Sequence, residues 1–265
     1  MLVKLAINMY IYLAKYRIKL ILKLVWERAI KMLSPIVVKI LEALPEGFII
    51  KTAQKVVNFY LKKYANIKVN GLDGIDNVKK PRIFVCNHLS NSDGLVLSKL
   101  LKEKSDPYFI AGAKLSVDPI TNLGTKIVKN IQIKPNSADK EAITNIVKTL
   151  KSGEDILIFP EGTRSRTGAM IEGRKGILLF SRLAKAEIIP IGMCGTEKLL
   201  PINKDGDMGG EKWQYADVTI NIGDKIEFPP KEKEEDRHEY EDRCMEILMR
   251  SIAKLLPESY RGVYK

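Results

Sequence analysis

Short runs of hydrophobic residues alternate with longer amphipathic stretches over most of the chain. Ile, Val, Leu and Phe are nearly continuous in five of these runs, at residues 82–86, 108–112, 155–160, 188–192 and 218–222. Apolar runs of this length are typical of central strands that helices cover on both faces of the sheet. The pattern therefore predicts five buried strands.

The stretches between these runs carry apolar residues at helical spacing. They lie near residues 93–104, 137–151 and 174–184, and another helix is predicted at 48–64. Strands that alternate with helices predict an α/β fold with a mixed, mostly parallel central sheet flanked by helices. In such sheets the reactive groups tend to lie in loops just beyond the strand ends.

The first 41 residues have a different pattern, in which apolar residues and bases are interleaved. Eight Lys or Arg residues stand against the single acid Glu27, and the longest uncharged run, residues 5–14, has ten residues. A helix needs roughly 20 apolar residues to span a bilayer. The pattern instead predicts a pair of amphipathic membrane-surface helices, separated at Pro35. A helix packed on the protein's own core or on a partner helix is the alternative.

These patterns divide the chain into two predicted parts. Residues 1–47 form a helical membrane-docking segment, and residues 48–265 form an α/β catalytic domain. The net charge of +12 favours a polyanionic partner, such as nucleic acid, a phosphorylated substrate or an anionic membrane. The three cysteines are far apart and have no ligand spacing, so no disulfide framework and no metal site is predicted.

A polar loop that contains His88 and Asp93 follows the first buried run. A histidine removes a proton from a hydroxyl best when a carboxylate holds its other ring nitrogen. The five-residue spacing across a turn can bring Asp93 to His88. Alternatively, Asp93 serves only to cap a helix. The other histidine, His238, lies in a mixed-charge run and is predicted to face solvent.

A second polar loop, Glu161-Gly162-Thr163-Arg164, follows the hydrophobic run at 155–160. A guanidinium is suited to bidentate contact with phosphate, and other bases follow Arg164 closely. An ordinary basic surface turn is the alternative interpretation. The chain has no Gly-x-Ser-x-Gly elbow and no phosphate-binding Gly-x-x-x-x-Gly-Lys loop, so direct attack by a substrate hydroxyl is favoured.

Together these loops resemble the motifs of the 1-acylglycerol-3-phosphate acyltransferases, within the glycerophospholipid acyltransferase superfamily. Asn-His-x-x-x-x-Asp stands at residues 87–93, and Phe-Pro-Glu-Gly-Thr-Arg-Ser is complete at 159–165. Residues 188–193 resemble a further motif. Residues 131–134 resemble another, with Lys134 where the family has Arg. The resemblance covers roughly residues 68–227.

The resemblance implies a role for each matching residue. His88 would be the general base and Asp93 its partner, and Glu161 would contact the glycerol portion of the acceptor. Arg164 and Lys134 would bind its phosphate, with Gly162 and Thr163 in the same binding loop. Lys114 resembles a family position near the site, although the usual Lys-x-Glu-Leu pattern is not kept.

The predicted reaction moves an acyl group from acyl-CoA or acyl carrier protein to the sn-2 hydroxyl of lysophosphatidic acid, with no cofactor. The expected partners are these substrates and anionic membrane lipids, and the expected place is the cytoplasmic face of the cell membrane. Nucleic acid is disfavoured because no binding module is recognisable. The alternatives are an acyltransferase with another acceptor, such as glycerol 3-phosphate or a different lysolipid, and a non-catalytic basic lipid-binding protein.

Overall fold

A seven-stranded sheet dominates the part of the chain that the computed structural model describes, which is residues 46–112, 126–134, 139–203 and 211–265. The strands are β1 Ala65–Asn70, β2 Arg82–Cys86, β3 Tyr108–Gly112, β4 Asn130–Ile133, β5 Ile156–Ile158, β6 Glu187–Cys194 and β7 Ala216–Ile222. The helices are α1 Glu46–Tyr64, α2 Asp93–Leu101, α3 Lys140–Lys151, α4 Gly176–Ala184, α5 Thr196–Leu199 and α6 Arg237–Lys254. Short 3-10 helices occupy Leu72–Asn77, Glu258–Tyr260 and Gly262–Tyr264.

The strand order across the sheet is β1-β7-β6-β2-β5-β3-β4. Every neighbouring pair is parallel except β6 and β7, which are antiparallel. This arrangement confirms the predicted mixed, mostly parallel α/β sheet. The carboxyl ends of β2, β5, β3 and β4 therefore lie along one edge of the sheet, and the polar loops that follow these strands share that edge.

The two faces of the sheet are covered by separate hydrophobic clusters. Alternate residues of β2 point to opposite faces, since Ile83 and Val85 belong to one cluster and Phe84 and Cys86 to the other. All five residues of β2 are buried. Burial on both faces explains why this strand is apolar at successive positions and why its bounds match the predicted ones.

A buried ion pair closes the amino end of β2. Arg82 is 3% exposed and Asp155, just before β5, is fully buried. The backbone N and Nε of Arg82 donate to the two oxygens of Asp155 at 2.9 and 3.0 Å, and Nη2 donates at 2.6 Å. The Ser105 hydroxyl donates to the same carboxylate at 2.5 Å. This network fully satisfies a pair of charges that burial would otherwise make costly.

The predicted membrane-surface helices at the start of the chain lie outside the described residues, so both they and the boundary at residue 47 stay predictions. Among the helices of the described ranges, none combines the length and the apolar character that crossing a bilayer requires.

Candidate active site

His88 and Asp93 meet at the carboxyl end of β2, as the sequence predicted. Nδ1 of His88 lies 2.7 Å from Oδ2 of Asp93. The Asp93 side chain is fully buried, whereas 21% of the His88 side chain is exposed. Asp93 is the first residue of α2, so the strand, the loop and the helix start together fix the distance between the two side chains.

The orientation of the Asp93 carboxylate is fixed by the loop itself. Oδ2 also accepts hydrogen bonds from the backbone N–H groups of Leu89, at 2.7 Å, and Ser90, at 2.9 Å. With the Nδ1 proton of His88 directed at this oxygen, Nε2 is the ring nitrogen that can accept a proton. The Phe159 ring stacks on the imidazole with centroids 4.1 Å apart, which holds the imidazole plane.

Neighbouring strands hold the backbone of the His88 loop. The Asn87 side chain donates to the carbonyl of Met193 in β6 and accepts from its N–H, both at 2.8 Å. This amide therefore continues the pairing of β2 with β6 one residue past the strand. The Ser90 hydroxyl donates to the Leu200 carbonyl at 2.8 Å. The loop is thus anchored by the elements on the β6 side.

Glu161 braces the same loop from the β5 side. Its Oε1 accepts from the backbone N–H of His88 at 2.9 Å, and Oε2 accepts from that of Ile171 at 3.1 Å. The residue is 1% exposed. The Ser165 N–H donates to the His88 carbonyl at 2.8 Å, so the β5 loop contacts both sides of the His88 backbone. The predicted contact of Glu161 with the acceptor's glycerol stays a prediction, because both of its oxygens contact backbone here.

Burial raises the pKa of Glu161 to about 7, opposed by the two backbone hydrogen bonds and assisted by the negative charge of Asp93. Burial also raises the pKa of the Cys86 thiol, with the same two carboxylates adding to the effect. A buried thiol of raised pKa is a poor nucleophile. Direct attack by a substrate hydroxyl therefore remains the chemistry that this site suits.

Gly162 and Thr163 form the exposed turn of the β5 loop. Gly162 has a φ of +68°, and a Cβ there would lie 2.9 Å from Nε of Arg174. The positive φ favours glycine at this position, and a Cβ there would require only that the flexible Arg174 side chain shift. Arg164 follows the turn, and its Nη1 donates to Oε1 of Glu211 at 3.1 Å. Glu211 precedes β7 and has no recognisable motif around it, so this partner of Arg164 could not be predicted from the sequence.

The segment 258–265 supports the part of the β5 loop that reaches Glu161. The Met170 N–H donates to the Tyr260 carbonyl at 2.8 Å, and the Gly173 N–H donates to the Tyr264 hydroxyl at 3.1 Å. Gly262 has a φ of +55°, and a Cβ there would collide with the Met170 carbonyl. These contacts position the backbone N–H of Ile171, which donates a hydrogen bond to Glu161.

Lys134 follows β4 on the same edge of the sheet as His88 and Arg164. It is exposed, and its backbone N–H donates to Asp139 at 3.0 Å. Three strand spacings separate β4 from β2, which is about 14 Å. The structure places Lys134 at the periphery of the edge, and its phosphate role stays a prediction. Lys114 lies outside the described residues. His238 is exposed, as predicted.

Comparison with known proteins finds a family model and several relatives that are similar to this chain. Residues 66–194 match the family model described as Acyltransferase. A chloroplastic 1-acyl-sn-glycerol-3-phosphate acyltransferase of Arabidopsis thaliana is 27% identical over 146 residues, which cover 54% of this chain and 40% of the relative. A glycerol-3-phosphate acyltransferase of Pseudomonas fluorescens is 33% identical over 202 residues, which cover 64% of this chain and 24% of the relative. The chain thus spans less than half the length of these two relatives.

A solved structure shares the fold. The crystal structure of the 1-acyl-sn-glycerophosphate acyltransferase PlsC from Thermotoga maritima superposes with a TM-score of 0.53, covering 92% of this chain and 97% of that chain at 20% identity. The matched family segment runs from β1 to the end of β6 and includes His88, Asp93, Glu161 and Arg164. Residues 66–194 of this chain are thus similar to the domain that the Acyltransferase family model describes.

Proposed function

We propose that the protein transfers a fatty acyl group from an acyl thioester to the sn-2 hydroxyl of lysophosphatidic acid, which gives phosphatidic acid. The observation that carries the proposal is the 2.7 Å contact between His88 Nδ1 and a buried, immobilised Asp93 carboxylate. A fixed carboxylate on one ring nitrogen makes the other a competent general base. The 1-acyl-sn-glycerol-3-phosphate acyltransferases among the relatives support this acceptor.

In the proposed reaction, Nε2 of His88 removes the proton of the acceptor hydroxyl while its oxygen attacks the thioester carbonyl. The Asp93 carboxylate stabilises the imidazolium that forms. The new C–O bond is made, the C–S bond breaks, and the leaving thiolate takes the proton from His88. Atoms and charge balance with no acyl-enzyme intermediate. The donor is acyl-CoA or acyl carrier protein, and no cofactor takes part.

The β5 loop supplies the proposed site for the acceptor's phosphate. Arg164 is 18% exposed and lies one residue from the Ser165 N–H that contacts the His88 carbonyl. A planar guanidinium beside the catalytic loop suits a phosphate monoester that must enter together with a nearby hydroxyl. Gly162 and Thr163 belong to the same proposed site, Lys134 is a peripheral member of it, and Lys114 is a further candidate.

We also propose that the protein works as a peripheral protein on the cytoplasmic face of the cell membrane. The acceptor and the product are membrane lipids, and the net charge of +12 favours an anionic surface. A shortened protein that lacks residues 1–47 should no longer bind anionic vesicles in a sedimentation assay. If the shortened protein sediments with the vesicles as well as the whole protein does, residues 1–47 are not the membrane anchor.

The experiment that tests the reaction is product analysis by mass spectrometry. Purified protein is mixed with lysophosphatidic acid in detergent, with acyl-CoA and acyl carrier protein thioesters supplied separately and the His88→Ala variant run in parallel. Phosphatidic acid from the wild type alone is the expected result. If neither thioester gives a product that depends on His88, the acceptor assignment is wrong.

Glycerol 3-phosphate is the second candidate acceptor. Several relatives that are 33% identical over 202 residues are glycerol-3-phosphate acyltransferases. The same His88 and Asp93 chemistry would serve this acceptor, because it also presents a hydroxyl near a phosphate monoester. A panel with both acceptors at equal concentration separates the two candidates by the ratio of their kcat/KM values.

A further inference from the structure

Glu211 connects two loops of the site that the sequence patterns leave unrelated. Its Oε1 accepts from Nη1 of Arg164 at 3.1 Å, and its Oε2 accepts from the Asn91 amide at 2.7 Å. Arg164 belongs to the loop after β5, and Asn91 belongs to the loop between His88 and Asp93. Glu211 itself lies on a third segment, which leads into β7.

The carboxylate of Glu211 is almost completely withdrawn from water. Its side chain is 3% exposed and that of Arg164 is 18% exposed. A carboxylate in such a place depends on its cationic partner, and the guanidinium offers to it the kind of hydrogen bonds that a phosphate would accept. A dianionic phosphate beside an ionised Glu211 would meet like-charge repulsion. The two anions therefore cannot both use Arg164 without loss.

We propose that Glu211 competes with the acceptor's phosphate for Arg164 and so determines how tightly, and how selectively, the site takes a phosphate monoester. This inference rests on the proposed function. In the free protein Glu211 neutralises Arg164 and, through Asn91, holds it near the His88 loop. An acceptor must displace the carboxylate from Arg164, so only a strongly anionic headgroup binds well. Glu211 is a positioning and specificity residue and takes no part in proton transfer.

A different role for Glu211 would be a permanent brace that keeps Arg164 oriented while phosphate binds elsewhere on the guanidinium. The Glu211→Gln variant separates the two roles. Glutamine has the same shape, its amide oxygen still accepts from Arg164, and its NH2 group can donate to a rotated Asn91 amide. The brace is therefore kept while the competing charge is removed.

The test is titration calorimetry of the protein with inorganic phosphate, followed by steady-state kinetics with lysophosphatidic acid. In the Glu211→Gln variant we expect the Kd for phosphate to fall by about fivefold or more, because the like-charge cost is removed. The KM for the acceptor should fall in the same direction, with kcat changed less than KM. A Kd within twofold of the wild type, or a weaker one, overturns the proposal.

Two controls make the result specific. Glu246→Gln removes one negative charge at an exposed helix position, where Glu246 pairs with Arg250 and is 49% exposed, and it should leave the phosphate Kd unchanged. Arg164→Ala should abolish phosphate binding, and binding that persists in it would also overturn the proposal. If the Gln variant fails to fold, as judged by circular dichroism, Glu211→Ala is used, and competition again requires a lower Kd.

The outcome for Glu211 is separable from the outcome for the proposed function. Wild-type protein that forms no His88-dependent product, while Glu211→Gln still tightens phosphate binding, contradicts the acceptor assignment and keeps the competition at Arg164. If the wild type forms phosphatidic acid but the Glu211→Gln variant changes neither the Kd for phosphate nor the KM for the acceptor, the acceptor assignment is kept and the competition at Arg164 is contradicted.

Discussion

A buried carboxylate lies at each end of β2, and the two carboxylates differ in how completely they are hydrogen-bonded. At the amino end, Asp155 accepts from Arg82 and Ser105, and the Arg82 side chain also donates to the Ile75 carbonyl at 2.8 Å. At the carboxyl end, Oδ1 of the buried Asp93 has no hydrogen-bond partner among the described residues. Its neighbour His88 is one-fifth exposed.

This difference separates the structural ion pair of Arg82 and Asp155 from the proposed reactive pair of His88 and Asp93. A closed network such as Arg82 with Asp155 gains nothing from a further ligand, because its donors and acceptors are already paired. In the His88 pair, Nδ1 contacts Asp93, and Nε2 is left to accept a proton from the proposed substrate. Removing a residue should therefore affect stability at one end of the strand and turnover at the other.

The largest expected effect is at the reactive end. His88→Ala should lower kcat by roughly 10²–10⁴-fold, because the proposed general base is lost. Its unfolding free energy should fall by less than that of Asp155→Ala, because the Asp93 carboxylate keeps its hydrogen bonds from the backbone N–H groups of Leu89 and Ser90. Thermal unfolding and product formation would be measured on the same preparation. A strong loss of stability would contradict the contrast between the two ends.

The second effect is at the structural end. Asp155→Ala should lower the unfolding free energy by about 3–5 kcal/mol, because Arg82 would be left buried without its partner. Urea titration measures this change. Glu246→Ala, which breaks an exposed pair with Arg250, is the matched control and should stay within about 0.5 kcal/mol of the wild type. The turnover of the folded fraction of Asp155→Ala should be close to that of the wild type.

Glu161 provides a pH test that lies between these extremes. Its pKa rises from 4.5 in the reference state to about 7 in the folded protein. Between those values the unfolded chain is ionised while the folded protein keeps the proton, so raising the pH favours the unfolded state. The stability of the wild type relative to Glu161→Gln should fall from pH 4.5 to 7 and then level off. If the stability of the wild type relative to Glu161→Gln instead rose with pH over this range, the backbone hydrogen bonds would lower the pKa of Glu161 by more than burial raises it.

The smallest effect is expected at the periphery of the reactive edge. Lys134→Ala should raise the KM for lysophosphatidic acid by no more than about threefold, because an exposed point charge about 14 Å from β2 acts weakly. Arg164→Ala should raise it by tenfold or more, as expected for a charge-assisted hydrogen bond of about 1.5–3 kcal/mol. Equal effects of the two substitutions would place the phosphate between β4 and β5.

Much of the fold was predictable because the central strands are buried on both faces. β2 and β3 have the predicted bounds, and the run at 155–160 contains the shorter strand β5. The two unpredicted strands, β1 and β4, lie at the edges of the sheet. β1 alternates half-buried and exposed residues, so it lacks the continuous apolar run. Edge strands of this kind are decided by their pairing partner more than by their own sequence.

The candidate site divides in the same way. His88 and Asp93 are five residues apart, so a local motif could report their contact. Glu211 meets Asn91 across 120 residues of sequence, and no local signal carries such a contact. α6 begins at Arg237, where Asp236 and Glu239 form a capping box inside the mixed-charge run that contains His238.

The support that segment 258–265 gives to the β5 loop also has a consequence for biosynthesis. Gly173 and Tyr264 are 91 residues apart, so a ribosome that adds about 5–20 residues per second completes this contact roughly 5–20 s after Gly173 is made. During that interval β2, β5 and β6 can already pair. The Ile171 N–H, which donates to Glu161, still lacks the contacts that segment 258–265 makes with its loop. All seven strands are thus synthesised before the last residue that supports the proposed active-site loop.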